Sequence, residues 1–147
     1  MQTIQHILLD KAARSALIDD CVKLIDSEVK KKGGLSGVAI KVGYKVVNGF
    51  KPGFVREATE GLIDSFAERL QPFVNEACEK KLRIGDYFGT ERSRVADALL
   101  GITDDRAKQS SHRIVNEAYE KLRPVAKKHV EEAASGVGKL IENHIGD

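Results

Sequence analysis

Apolar residues return at three- and four-residue steps along almost the whole chain, a spacing that one face of an α-helix requires. Across residues 10–32 the stripe is Ala13, Ala16, Leu17, Cys21, Leu24 and Ile25, widened by Ile18, Val22 and Val29. Asp10 is placed to cap the first turn, and Ile7 and Leu8 to pack back against it. Lys30, Lys31 and Lys32 suit the negative end of the helix dipole, and Gly33-Gly34 ends the segment.

The next stretch, GLSGVAIKVGYKVVNGF, raises a choice between helix and strand. Its valines favour strand, but their alternation is imperfect and both neighbouring segments are helical in pattern. The spacing predicts a helix over 35–50, capped by Ser36, with Val38, Ala39, Val42, Val46 and Phe50 on its core face. Ile40, Tyr44 and Val47 extend that face, and the helix is expected near the centre of the molecule. Lys51-Pro52-Gly53 ends it.

A third stripe runs through Val55, Ala58, Leu62, Phe66, Ala67 and Leu70, and Pro72 either kinks it or starts a new helix. RIGDYFGT at 83–90 reads as a connection. Thr90 is placed to cap a helix carrying Val95, Ala98, Leu99 and Ile102, with a turn at Ile102-Thr103-Asp104-Asp105. The following helix passes through Ala107, Ser111, Ile114, Val115, Ala118, Tyr119 and Leu122. Beyond Pro124, a last helix carries Val125, Ala126, Val130, Ala133, Val137, Leu140 and Ile141.

The two proline-containing segments resemble one another. ERLQPFVNEACEKKL at 68–82 matches EKLRPVAKKHVEEAA at 120–134 at an offset of 52 residues, and the positions kept apolar are those of one helix face. An internal repeat over 54–82 and 106–134 favours stacked helical units. The expected fold is all-α: a compact bundle of six or seven helices in one domain spanning 1–147, holding either two related units or one packing solution used twice.

Composition agrees. Apolar residues make up 41% and charged residues 31%, with no tryptophan, so the core must come mainly from aliphatic side chains. Twenty-four basic and 22 acidic side chains leave a formal charge of +2, too near balance to call for nucleic acid as a partner. Cys21 and Cys78 do not make a disulfide framework and read as small buried thiols. The N-terminal residues lack a signal-peptide pattern, and no apolar run reaches the ~18 residues of a spanning helix. A cytoplasmic location is expected.

No local motif supplies catalytic chemistry. SGVGKL at 135–140 has Ala133 where a phosphate loop needs glycine, and leucine after its lysine. No HExxH, ExxH or CxxC is present, so neither a metal nor a cofactor is expected. His112 and His129 read as surface residues. Two readings stay open. One is a non-enzymatic scaffold or interaction domain, associating with itself or another protein. The other is a lipid-binding or peripheral membrane protein using the basic, apolar 35–51 segment against an anionic surface. Lys41, Gly43, Tyr44, Lys45 and Lys51 are the candidate contact residues, with Gly43 set for close helix packing.

GLSGVAIKVGYKVVNGFKPGFV, together with LLDKAARSALIDDCVKLIDSEV, YFG, DALLGITDDRA and KLRPVAKKHV, resembles an uncharacterised family of small helix-rich bacterial proteins. The resemblance covers nearly the whole chain. It implies a helical domain and carries over no activity, cofactor or site residue.

Overall fold

The computed structural model describes residues 3–145. Seven helices follow in order: α1 (Ile4–Leu8), α2 (Lys11–Lys31), α3 (Gly34–Phe50), α4 (Phe54–Glu79), α5 (Ile84–Thr90), α6 (Arg92–Gln109) and α7 (Arg113–Ile145). No strand occurs among the described residues, so the expected all-α bundle is what forms.

The number of helices agrees with expectation, but the divisions differ. Pro72 and Pro124 neither start nor end a helix; each lies inside a long one. Both are exposed. The carbonyls that lose their N–H partners, those of Glu68 and Glu120, belong to exposed residues, so water can satisfy them. The expected turn at 102–105 is also helical. Thr103 Oγ1 donates to the Leu100 carbonyl at 3.1 Å, and Arg123 on α7 grips Asp104 through Nε at 2.8 Å. Tertiary partners thus hold a turn-like sequence in helix. The break comes later, at residues 110–112, where the Asn116 side chain donates to the Ser110 carbonyl at 2.9 Å.

RIGDYFGT is the opposite case. Residues expected to connect form α5, with Ile84, Tyr87 and Phe88 buried. Their three- and four-residue spacing is helical, but its shortness and its two glycines hide it. Gly85 admits a close crossing. A Cβ at Gly138 of α7 would stand 2.8 Å from Gly85 Cα and from the Ile84 carbonyl oxygen. Thr90 closes α5 rather than capping α6.

Local capping of α2 follows the sequence: Asp10 Oδ2 accepts the Ala13 N–H at 2.8 Å. Helix α3 starts earlier than expected, from Gly33, with no capping side chain. It is also not central. Leu35 is 93% exposed and Val42 56%, and Val38, Val46 and Phe50 share that outward face. The expected core stripe therefore faces outward. The inward face carries buried Gly37 and Gly43, with Ile40, Tyr44 and Val47 half-buried. The physical reason is close approach. A Cβ at Gly37 would lie 2.7 Å from the Lys32 backbone carbon, and one at Gly43 2.5 Å from Leu122 Cδ1. Glycine lets α3 lie flat on α2 and α7, which turns its valines outward.

Four long helices form the body. Helix α2 packs on α4, α4 on α6, α6 on α7, and α7 back on α2. The diagonal pairs do not meet: no Cα atoms of α2 and α6, or of α4 and α7, come within 8 Å of each other. Helices α1 and α5 pack against this ring. Polar side-chain pairs fasten its rim. Arg14 grips Asp64 through both guanidinium nitrogens at 2.8 and 2.9 Å, and His144 Nε2 lies 2.6 Å from Asp20.

Candidate functional site

What fills the middle of a four-helix ring decides whether it is a plain core or a container. Here the middle holds a cavity of about 340 Å³. Its wall on α7 carries the small residues Ala126, Val130, Ala133 and Val137, with His129, Leu140 and Ile141 beside them. Across from them stand Leu24 and Ile25 of α2, Phe66 of α4 and Leu99 of α6. These larger side chains point inward yet are only half-buried, because the space beside them is unfilled. Helix α7 comes close to α5 at Gly138 and to α2 at Gly136, where a Cβ would stand 3.0 Å from Leu24 Cδ1. Beside these contacts its small side chains leave space.

Shape follows from the lining. On α7 the cavity touches residues from Ala126 to Ile141, a length of about 22 Å at a rise of ~1.5 Å per residue. It is therefore elongated. The space is partly open to solvent, so the cost of an empty cavity falls only on its enclosed part. Water gains little there, since an apolar lining offers it few partners. A bound apolar molecule removes the penalty.

At one end the apolar wall is formed by the carbon atoms of polar residues. Glu28, Lys32 and His129 stand there and also line an adjoining space of about 250 Å³, which reaches Lys31, Lys128 and Glu132. Lys32 is 8% exposed, an unusual position for a lysine. Its Nζ lies 3.4 Å from Glu28, 3.7 Å from Glu132 and 3.3 Å from the His129 carbonyl. Each distance exceeds the ~2.7–2.9 Å of a strong charge-assisted bond. His129 Nε2 meets Ser36 Oγ at 3.1 Å. Its buried Nδ1 lies 3.2 Å from Glu132 but is not aligned for a hydrogen bond, and so lacks a partner.

Cys21 also lines the cavity. Burial, with a smaller contribution from the Asp20 carboxylate, pushes its thiol up to about 11. At neutral pH it is a protonated, weakly nucleophilic wall residue. Among the described residues, no group of three or more His, Cys, Asp or Glu is placed to hold a metal ion.

The residues singled out in the sequence lie elsewhere. Lys41, Lys45 and Lys51 are exposed, Lys51 pairing with Glu57 at 2.8 Å. Gly43 packs on Leu122, and Tyr44 is half-buried. None of the five lines the cavity, to which α3 contributes Ile40. Conversely, His129 is not a surface residue, since it is 7% exposed. A signal was available: His129 falls in step with Ala126, Val130 and Ala133 on the apolar face of α7. Lys32 gave no such signal. It follows the last turn of α2 and is buried because α3 folds back over it.

No helix among the described residues is long and apolar enough to cross a membrane. No curated protein and no solved structure matches the chain. The expected kinship holds at the level of an uncharacterised helix-rich family, while the bacterial part of that expectation has no support. The model of a family of unknown function (DUF6918) matches residues 4–145, and the chain belongs to that family.

Proposed function

We propose that this protein binds one elongated hydrophobic molecule, such as a single acyl or alkyl chain, inside the four-helix ring. The carrying observation is the cavity of about 340 Å³ with its nearly all-apolar wall. Its size falls within the range of ~300–1,000 Å³ usual for ligand sites. The lipid-binding reading is thus moved from the 35–51 segment to the interior. Native mass spectrometry tests it. Ligand-free protein should hold one dodecanol, and Ala133→Phe, which puts a ring into the cavity, should hold none. Wild-type protein that retains no dodecanol, and carries no extra mass when gently purified, would overturn the reading.

A second reading keeps the scaffold or interaction role and rests on the outward face of α3. Leu35, Val38, Val42, Val46 and Phe50 form a continuous exposed apolar stripe, which single exposed residues elsewhere do not. It supports association with another copy or another protein. Sedimentation across concentration tests it: a monomer throughout, unaffected by Val42→Glu, would remove the self-association version. The similarity of 54–82 and 106–134 supports two related helical units within one cooperative domain. Urea unfolding in two separated steps would count against the single domain.

A further inference from the structure

We propose that the polar space adjoining the cavity is an anion site that holds the carboxylate of a long-chain monocarboxylic acid. This inference rests on the chain-binding reading and adds the head group. Three observations support it.

The first is position. Lys32 and His129 line both the apolar cavity and the adjoining polar space, so they stand between the two, and a chain in the cavity would end beside them. The second is unfilled bonding capacity. The side chains of Lys32 and His129 are 7% and 8% exposed, the ammonium has only long contacts, and His129 Nδ1 has no hydrogen-bond partner. An ammonium held by its neighbours only at long range keeps bonding capacity that a carboxylate can use. The third is charge. Lys31, Lys32 and Lys128 face Glu28 and Glu132, which leaves one positive charge uncompensated. Lys31 and Lys32 share Glu28, at 3.1 and 3.4 Å. One carboxylate would complete the balance, whereas a phosphate dianion would overshoot it. The start of α3 lies at the same place, with Gly33 lining the space and no side chain capping the helix. Its first-turn N–H groups add to the attraction for an anion.

The test compares probes of one chain length and different head groups on the intact, ligand-free protein: laurate, 1-dodecanol and dodecyl phosphate. Isothermal titration should show laurate binding about ten-fold or more tightly than dodecanol, as a hydrogen bond to a charged group implies. Lys32→Met keeps most of the side-chain volume and removes the charge. It should bring laurate to the level of dodecanol and leave dodecanol within about two-fold of its wild-type affinity. Equal wild-type affinity for laurate and dodecanol would overturn the head-group site and leave the chain site standing. Dodecyl phosphate binding about ten-fold above laurate would overturn the carboxylate assignment. If no probe binds, the cavity reading fails and this inference fails with it. The wild-type comparison decides the matter even if Lys32→Met does not fold.

Discussion

Replacing Ala133 with leucine asks whether the centre of the ring is empty or packed. Ala133 sits on α7 and faces the cavity of about 340 Å³. Leucine adds three carbons, each worth ~0.8 kcal/mol when buried, or about 2.4 kcal/mol in all. Ordering its side chain takes back about 0.5–1 kcal/mol. The net expectation is a gain of about 1.5–2 kcal/mol. At roughly 2–4 °C per kcal/mol for a chain this long, the Tm should rise by about 5 °C. In a close-packed core the same change forces neighbours apart and costs about 1–3 kcal/mol. The two pictures differ in sign, so a modest measurement separates them. Urea unfolding must be run on protein freed of any bound chain, because a ligand stabilises the wild type by mass action. A loss of 1 kcal/mol or more in Ala133→Leu would refute the cavity.

Glycine gives opposite expectations at two helical positions. Gly49→Ala on exposed α3 meets no atom within 4 Å and should gain about 0.8–1 kcal/mol, whereas Gly138→Ala drives a Cβ against the α5 backbone and should lose about 1–3 kcal/mol; matching signs in urea unfolding would contradict the close crossing. The Asp104 carboxyl is held below its usual range, first by the hydrogen bond from Arg123 and then by Tyr119. Its contribution is therefore present above the unfolded value near pH 4 and is lost as pH falls through the lower folded value. Asp104→Asn, at a site about one-third exposed, should cost up to about 1 kcal/mol at pH 7, and the gap to wild type should narrow below about pH 4; a gap that widens in acid would refute the pairing. With its thiol near 11, Cys21 in a Cys78→Ala background should react with a disulfide reagent at pH 8 about two orders of magnitude more slowly than after unfolding. Equal rates would show the thiol to be neither buried nor shifted.

Much of the fold was legible in the sequence because helices are specified locally. The stripe of α2, its Asp10 cap and its Gly33-Gly34 ending depend on residues within a few positions of one another. The same holds for the family likeness, which is carried by runs of adjacent residues. Where local signals misled, a distant partner had overruled them. Arg123 and Tyr119 on α7 hold the turn-like segment at 102–105 in helix. Exposure of Pro72 and Pro124 lets two helices run on through them.

Tertiary structure alone decided which apolar faces are covered and whether covered faces touch. The valine stripe of α3 has the spacing of a core face, but Gly37 and Gly43 allow the opposite side to approach α2 and α7. The inward residues of α2, α4, α6 and α7 read as core in either case. Whether they meet depends on how far apart the fold holds the helices, which residues near in sequence do not fix. The polar space beside the cavity is non-local in the same way. Lys32 and His129 are 97 positions apart, and only the fold places the ammonium 3.3 Å from the histidine carbonyl. Periodicity records which side of a helix is apolar; it carries no measure of how far away the next helix stands.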